Sequence, residues 1–416
     1  MVKKSYEWKT GAELEEHSRR KHKIVREYFA RYLAVRCQLP QRSRFRLAIV
    51  DGFAGAGTYN CGASGSPLIF IEELQRATEE FNIRRATEGM SPLDIECLLI
   101  FNDFDPTAVE LLKERVAPLI AASAETTPRL HLKVEHFSQK FETAYPRIKQ
   151  LIERGNYRNV IFNLDQCGTS HVEQQTISDI CRSFTSAEIF YTFMITSLLA
   201  FLQRTDRTQL GRQLRPFGLT ENDLVDLDRV LNNKEWLGAA ERIVFNTFSR
   251  CAAYVSPFSI NNPDGWRYWF IHFANNYRAR QEYNNVLHDN ATMQAHFGRS
   301  GLDMLSYDPS HNGALYLFDP PGREDAKQQL HEDIPRMITN FGDAVQVGEF
   351  YSSIYNSTPA HTDDVHAVMI ENPDLEIVTE QGGERRRPNT IKPGDILRMK
   401  RQRSFPSFYS SPDRAR

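Results

Sequence analysis

The residues best suited to chemistry lie in the glycine-rich turn "DGFAGAG", residues 51–57, which directly follows the apolar stretch "LAIV". Glycines in such a turn let the backbone bend sharply and approach a ligand that any Cβ would obstruct. The later stretch "GSPL" predicts a helix N-terminus with Ser66 as its cap and Pro67 at its first position. Its free amide groups would point back at the turn. We therefore expect the turn to bind a ligand.

The surrounding residues narrow the class of ligand. No Lys-Ser/Thr pair follows the glycines, which excludes a phosphate-binding P-loop, and the dinucleotide glycine pattern is imperfect. Asp103 in "FNDFDP" is predicted at a strand tip, where its carboxylate can accept both hydroxyls of a ribose. A nucleoside without a phosphate cradle is consistent with S-adenosylmethionine, whose cationic groups suit Asp51 and Asp103. Asp103 or Asp105 could instead cap the next helix; we favour Asp103 as ligand and Asp105 as cap.

Alternating strands and helices would position this turn. "FRLAIVDGF", "ECLLIFNDFD", "LHLKVEHF" and "RNVIFNLDQCG" predict four buried strands, and residues 68–81, 107–120 and 140–154 predict the helices between them. This order implies right-handed crossovers and a parallel, doubly wound α/β sheet. Ligands bind such sheets at the carboxyl ends of the strands, where the glycine turn is expected. A further helix, 12–36, is predicted before the sheet.

Length and composition limit the class of protein. The 416 residues, 41% hydrophobic and 25% charged, predict two or three domains of ordinary globular composition. The six cysteines form no CxxC pair, and the N-terminus has no charged-then-apolar leader. The longest apolar run, 187–202, is interrupted by polar residues and is too short for a membrane span. We expect a cytoplasmic protein that has no metal site and does not contact a membrane.

Charge is unevenly distributed along the chain. Residues 1–46 carry a net charge of +8 and residues 381–416 carry +7, so the part between them carries −17 against a total of −2. Basic ends around an acidic body favour contact with a polyanion, because clustered cations release counterions from a phosphate backbone. Solvated helix faces and a frayed basic tail are the alternative explanation.

Several motifs in order resemble the three-Cys-motif partner family, whose members have a methyltransferase-type Rossmann fold. They are "HSRRKHKIVREYFARYL", "IVDGFAGAGTYN…GSPLIFIEEL", "FNDFDP", "VIFNLDQCG", "FYTFMITSLLAFLQR" and "RYWFIHFANNYRARQEYNNVL". The last segment, from "HTDDVHAVMI" to "DILRMK", resembles the family's winged-helix-like C-terminus. The resemblance covers residues 17–399.

The resemblance implies binding of S-adenosylmethionine and an association with radical-SAM-like proteins that carry three clustered cysteines. It implies no settled substrate. At the third strand, where an acidic residue commonly meets the adenine, this chain has His136 and Phe137. The full set of residues assigned to the cofactor is Asp51, Gly52, Phe53, Ala54, Gly55, Gly57, Asp103, His136 and Phe137.

The fourth strand departs from the family pattern. Where D-P-F-G is usual, this chain has Asp165, Gln166, Cys167 and Gly168. The proline and aromatic residue that would shape a pocket for a flipped base are missing. We assign Asp165 and Gln166 to the catalytic position, with the Asp165 carboxylate orienting a target amine. A small core residue is the favoured role for Cys167, over a reactive thiol.

Other motifs receive plainer interpretations. The "DPP" of residues 319–321 is interpreted as part of a rigid linker between domains. His17 with His22, and His361 with His366, are interpreted as solvated histidines rather than metal ligands. "WRYWF" predicts a late strand, with Trp266 or Trp269 as possible linings of a substrate mouth. "ERRRP" lies between two β-like segments and predicts a basic wing in which Arg385, Arg386 and Arg387 contact nucleic acid.

Together these features predict a Rossmann-type α/β domain at 46–322 with a helical insertion near 203–250. A basic helical arm, 1–45, precedes it, and a winged-helix-like domain with a basic tail, 323–416, follows. The leading predicted function is S-adenosylmethionine-dependent methyl transfer to nucleic acid. The alternative is a non-catalytic methyltransferase-fold partner of a three-cysteine radical-SAM-like protein. A nuclease is disfavoured because a two-metal site needs clustered carboxylates.

Overall fold

The computed structural model of the chain describes residue 8 and residues 11–166, 171–194, 245–260, 268–291, 294–297, 301–302, 315–316 and 318–400. In the first half, strands and helices alternate as predicted. The elements are α1 (Glu16–Cys37), β1 (Arg44–Asp51), α2 (Ser66–Thr87), β2 (Asp94–Asp103), α3 (Pro106–Thr126), β3 (Leu130–Ser138), α4 (Phe141–Arg154), β4 (Asn159–Leu164), α5 (Gln174–Ser183) and β5 (Ser186–Phe193).

The later elements complete the large sheet and form a second unit. They are β6 (Tyr254–Ile260), β7 (Tyr268–Ala274), α6 (Tyr277–Asp289), β8 (Gln294–Phe297), β9 (Leu315–Tyr316), α7 (Pro320–Asn340), β10 (Ala344–Gln346), α8 (Val347–Ile354), α9 (Thr362–Glu371), β11 (Leu375–Val378) and β12 (Ile396–Met399). Most of the predicted helical insertion, like Cys167, Gly168 and Trp266, lies outside the described residues.

The large sheet has the strand order β3-β2-β1-β4-β5-β7-β6-β8-β9. Neighbours from β3 to β5 are parallel, and β7 returns antiparallel to β5. Strand β1 lies between β2 and β4, so the strand order reverses beside it. Ligands of open α/β sheets bind at such a reversal, outside the carboxyl ends of the strands. The glycine turn begins at that point.

Helices cover both faces of this sheet. One apolar core joins β1 and β2 to α1, α2, α3 and α6, and a second joins the opposite face to α4 and α5. The strands are therefore buried on both sides, which explains why they read as continuous apolar runs in the sequence. This is an α/β fold with a mostly parallel central sheet, compatible with the predicted Rossmann-type architecture.

Two helix starts differ from the sequence-based expectation. The cap of α2 is Gly65, which makes no side-chain cap, and Ser66 is the first helical residue. The "DPP" motif is not a linker. Asp319 caps α7 by accepting a hydrogen bond from the Gly322 amide at 3.0 Å, and Pro320 lies in the first turn of α7. Proline is favoured there because its fixed φ suits a helix and its missing N–H has no intrahelical partner.

The C-terminal unit contains α7, α8, α9 and a small antiparallel sheet with the order β10-β12-β11. A separate apolar core holds it together, with Leu330, Ile334 and Ile338 of α7 among its members. Residues 379–395 link β11 to β12 as the predicted hairpin between two β segments. On the large domain, α6 contacts this unit through fully buried Arg280, whose Nε donates to the Tyr355 carbonyl at 2.9 Å.

Candidate functional site

The glycine turn is fixed between two strand ends. The Gly52 amide donates to the Asn163 carbonyl on β4 at 2.9 Å, and the Ala54 amide donates to the Asn102 carbonyl on β2 at the same distance. Phe53, between them, packs against the apolar core on the α4 side. These bonds place the turn across the carboxyl ends of β2, β1 and β4.

Two glycines of this turn cannot be replaced without strain. Gly55 and Gly57 have φ angles of +59° and +83°, which side chains rarely adopt. A Cβ on Gly57 would lie 2.7 Å from the Leu112 side chain, and one on Gly55 would lie 2.6 Å from Cζ2 of Trp8. The indole of Trp8 therefore packs directly on the outer surface of the turn. Sequence reasoning did not identify Trp8, whose contact depends on the path of the N-terminal segment.

Asp103 is joined to the glycine turn. Its Oδ2 accepts a hydrogen bond from the Gly55 amide at 2.8 Å, and its Oδ1 accepts one from the Asp105 amide at 2.9 Å. Burial raises the pKa of the Asp103 carboxyl. The Phe104 amide also favours the charged form of Asp103. A carboxylate has about four lone-pair positions, so these backbone amides leave part of its accepting capacity for a ligand hydroxyl. Phe104, 68% exposed, follows it directly.

Asp105 has the role predicted for it. Its Oδ1 accepts a hydrogen bond from the Thr107 amide at 2.8 Å in the first turn of α3, so Asp105 is the helix cap. The two carboxylates of "FNDFDP" therefore divide their tasks. Asp103 faces the glycine turn, and Asp105 satisfies the helix end.

Asp51 lies beneath the turn and is fully buried. Asn163 Nδ2 donates to its Oδ2 at 3.1 Å, the Phe53 amide donates to its Oδ1 at 3.3 Å, and the Ser66 hydroxyl also stabilises it. Burial raises the pKa of the Asp51 carboxyl to about 7. Its hydrogen-bond partners within the protein indicate that it stabilises the turn from inside.

Asp165 follows β4 and forms an ion pair with Lys21 of α1, from Nζ to Oδ1. Only 4% of Lys21 is exposed, and the Lys21 ammonium holds the pKa of the Asp165 carboxyl below its usual range against the opposing effect of burial. Sequence reasoning missed Lys21 as a member of the site. Its spacing of seven residues from Tyr28 places it on the inward face of α1, a signal that was present in the sequence.

The histidines of α1 are not solvated, contrary to the sequence-based interpretation. The ring of His17 stacks on that of Tyr268, with centroids 4.2 Å apart, and His22 lies 5.7 Å from the Tyr59 ring of the glycine loop. Burial lowers the pKa of each histidine to about 4. His361 is buried beside the His288 ring of α6 and caps α9, and His366 is half-buried beside the Tyr351 ring. Both α1 histidines are therefore neutral at pH 7 and adjoin the Lys21–Asp165 pair.

Gln166 lies inside the protein. Its Nε2 donates to the Tyr191 hydroxyl at 2.7 Å, and its Oε1 accepts the amides of His171 and Val172. The side chain thus fixes the chain after β4 rather than extending toward solvent. The two predicted catalytic residues therefore lie in different surroundings. Asp165 is beside α1, whereas Gln166 holds the loop that follows β4.

His136 and Phe137 lie near the end of β3, two strands from the glycine turn. They are opposite Phe101 and Asn102 on β2, and Ser138 is opposite Asp103. His136 Nε2 is buried without a hydrogen-bond partner in the described part of the chain, whereas Phe137 packs into the apolar core. Of these two residues predicted to bind the cofactor, His136 is therefore the one with a polar atom that makes no hydrogen bond within the described part of the chain.

The three arginines predicted to contact nucleic acid differ in whether they are paired within the protein. Arg385 makes two hydrogen bonds to Asp395, at 2.9 and 3.1 Å, and is therefore engaged inside the hairpin. Arg386 and Arg387 are exposed. The first turn of α9 carries Asp363 and Asp364. The outward charge of the hairpin thus comes from two of the three predicted arginines.

The basic helix is less available to a polyanion than its sequence suggests. All five of its cations between 19 and 26 pair with carboxylates, and these cations are Arg19, Arg20, Lys21, Lys23 and Arg26. Lys21 points inward, and Arg26 contacts Glu72 and Glu73 of α2. The net charge of residues 1–46, on which the expected polyanion contact was based, did not include the carboxylates that pair with Lys21 and Arg26 from elsewhere in the chain.

The described residues contain no group of three or more His, Cys, Asp or Glu side chains that could hold a metal ion. Within the same residues, no helix combines the length and apolar character needed to cross a membrane. The sequence matches no protein-family model and no curated protein.

Proposed function

We propose that this chain is an S-adenosylmethionine-dependent methyltransferase acting on nucleic acid. The observation that carries the proposal is the hydrogen bond from the Gly55 amide to Asp103. It joins a glycine-rich turn to a partly satisfied carboxylate at the reversal of strand order. A nucleoside needs both features, a backbone that it can approach closely and an acceptor for its ribose hydroxyls.

The residues of the turn fit such a group. Asp103 would hold the ribose through its remaining lone pairs, and Phe104 offers an exposed ring on which an adenine can stack. Gly55 has no Cβ, so an aromatic ring can pack directly on its backbone. Trp8 holds that position in this structure, and a nucleoside bound on the turn would contact or displace it. When bound, S-adenosylmethionine supplies an electrophilic methyl group on a cationic sulfonium.

The C-terminal unit is proposed to be the winged-helix-like module of the three-Cys-motif partner family. Its order of helix, strand, two helices, strand, long hairpin and strand supports this assignment. Arg386 and Arg387 in the hairpin would contact phosphates. The acidic first turn of α9 disfavours insertion of that helix into a groove, because Asp363 and Asp364 repel phosphate.

Transfer of a labelled methyl group tests this function. The parent protein is incubated with S-adenosylmethionine labelled in its methyl group and with single-stranded DNA or RNA. Label should enter nucleic acid with the parent. With Asp165→Ala transfer should fall at least a hundredfold, while affinity for S-adenosylmethionine changes little. Undiminished transfer by Asp165→Ala would place the chemistry elsewhere.

A second function is favoured by one observation. Lys21 binds Asp165 and α1 lies over the end of β4, so the acceptor side is partly filled by the protein itself. A non-catalytic partner of a three-cysteine radical-SAM-like protein would have this arrangement. Cofactor binding by a parent protein that transfers no label to nucleic acid would favour this second function.

A further inference from the structure

A buried polar atom without a partner lies beside the Lys21–Asp165 pair. His22 Nδ1 is buried and has no hydrogen-bond partner among the described residues, and Asp165 acts electrostatically on its ring. Thr192 on β5, adjacent to β4, stabilises the charged form of Asp165 with its hydroxyl. Buried polar atoms are nearly always paired, so an orphaned imidazole nitrogen beside a carboxylate indicates a place for a polar ligand.

The cluster lies between the glycine loop and the end of the parallel sheet. His22 approaches Tyr59, which follows the glycine turn, and His17 stacks on Tyr268 at the start of β7. Asp165 comes directly after β4. A nucleoside over β1 and β2 would therefore have this cluster on its β4 side, where a methyl acceptor must approach.

On the basis of the proposed methyl transfer, we propose that His22 receives the proton released by the acceptor nitrogen. Lys21 positions Asp165 to bind that nitrogen. Lys21 occupies Oδ1 of the carboxylate, and Oδ2 accepts an N–H of a neutral amine such as the exocyclic amine of adenine or cytosine. His22 and Asp165 thus contact the acceptor, whereas Lys21 acts through Asp165.

The step balances without a further reactant. The acceptor nitrogen forms a bond to the methyl carbon, and the bond from that carbon to the sulfonium sulfur breaks with its electron pair left on sulfur. The nitrogen becomes cationic and strongly acidic, and one of its protons passes to His22 Nδ1. A weak base suffices for a proton of this acidity.

The charges facing His22 support its role as the base. Lys21 and Arg26 on α1 and Asp165 after β4 act on it, and burial is the largest cause of its lowered pKa, about 4. His22 is therefore unprotonated at pH 7 and can accept a proton. Asp165, whose pKa lies below its usual range, is the weaker base and keeps its charge for orientation.

Nuclear magnetic resonance of the full chain labelled at histidine Cε1 tests the proposal. The His22 signal is assigned with His22→Gln, or with His22→Asn if that variant does not fold. Adenine and cytosine are then titrated into protein saturated with S-adenosylhomocysteine. In the parent, titration with at least one of the two bases should shift the His22 signal until it saturates. The same shift should occur in the control variant Lys23→Met, which replaces an exposed lysine of the same helix. Asp165→Asn and Lys21→Met should lose this response.

Turnover gives a second readout, with His131→Gln as the control because His131 is exposed on β3. His22→Gln should lower kcat roughly a hundredfold or more with single-stranded nucleic acid, and KM for S-adenosylmethionine should be unchanged. Bound S-adenosylhomocysteine with no response of His22 to either base would overturn the proposal, as would parental turnover by His22→Gln. Absence of S-adenosylhomocysteine binding would instead contradict the proposed function.

Discussion

The amide of Gly55 donates a hydrogen bond to Oδ2 of Asp103 over a distance of 2.8 Å, although 48 residues separate them in the chain. This bond makes the glycine turn after β1 and the carboxylate at the end of β2 one structural unit. Because the carboxylate also accepts the Asp105 amide, its orientation is fixed before any ligand arrives. Such preorganisation reduces the entropy that a ligand must lose on binding.

Asp103→Asn should weaken S-adenosylmethionine binding roughly ten- to a hundredfold, because a charged acceptor contributes about 1.5–3 kcal/mol. The matched control is Asp105→Asn, which retains an oxygen to cap α3 and should change the affinity less than about twofold. Calorimetric titration of the two variants measures the difference. Equal losses in both would show that the Asp103 carboxylate does not contact the cofactor.

Asp51 should make stability depend on pH in a direction unusual for an aspartate. Burial raises its folded-state pKa to about 7, so between pH 4 and 7 the folded protein holds a proton that the unfolded chain releases. Stability from this group is therefore present at low pH and lost as pH rises, by about 1.4 kcal/mol per unit.

Urea denaturation of the parent and Asp51→Asn across pH 4–8 tests this linkage. The difference in unfolding free energy should move in favour of the variant as pH rises and level off above the folded-state pKa. Buried His17 and His22 make the opposite contribution to the unfolding free energy, which decreases as pH falls from about 6.5 to 4. Both histidines are present in the variant and the parent, so their contribution cancels in the comparison. A difference that does not vary with pH would contradict the assignment.

Trp8 should report on occupancy of the glycine turn. Its indole packs on Gly55 and lies 6.2 Å from the Tyr59 ring, so a ligand on the turn must displace or contact it. S-adenosylhomocysteine should change the tryptophan emission of the parent, and Trp8→Phe should lose most of this change. An identical change in Trp8→Phe would locate the responding indole elsewhere among the four tryptophans of the chain.

Replacement of the three hairpin arginines by alanine should have two different effects, one on nucleic-acid binding and one on stability. Replacing both Arg386 and Arg387 with alanine should weaken nucleic-acid binding and reduce the log–log salt slope by roughly two units, because each arginine would neutralise one phosphate. Arg385→Ala should chiefly lower the melting temperature of the C-terminal unit, because it leaves the buried Asp395 carboxylate without its cationic partner and with only the Lys392 amide as a donor in the described part of the chain. Gel-shift titrations at several salt concentrations measure this slope. If the double variant has the same slope as the parent, the hairpin is not the binding surface.

Local patterns in the sequence predicted much of the fold. Apolar runs marked the parallel strands, and the Asp105 cap and the hairpin between β11 and β12 followed from short-range chemistry. The start of α2 was misplaced by one residue because Ser66 uses its hydroxyl on Asp51 rather than on the helix end. Such a choice depends on a contact that no local pattern encodes.

The contact between Lys21 and Asp165 was harder to predict. Lys21 and Asp165 are 144 residues apart, and only the packing of α1 across the sheet brings them together. For the same reason the α1 histidines were interpreted as solvated, and the pairing of Arg385 with Asp395 was missed. A charge in the sequence does not reveal whether its partner is a phosphate in solution or a carboxylate inside the protein.

Calorimetric titration with S-adenosylhomocysteine tests the central claim most directly, using the parent, Gly55→Val and Gly89→Val. Both glycines have positive φ, but a Cβ on Gly55 meets Trp8 beside the proposed site, whereas Gly89 faces open space. The parent and Gly89→Val should bind one equivalent, and Gly55→Val should show no binding while its melting transition stays cooperative. No binding by the parent, or parental affinity in folded Gly55→Val, would contradict a nucleoside site at the glycine turn.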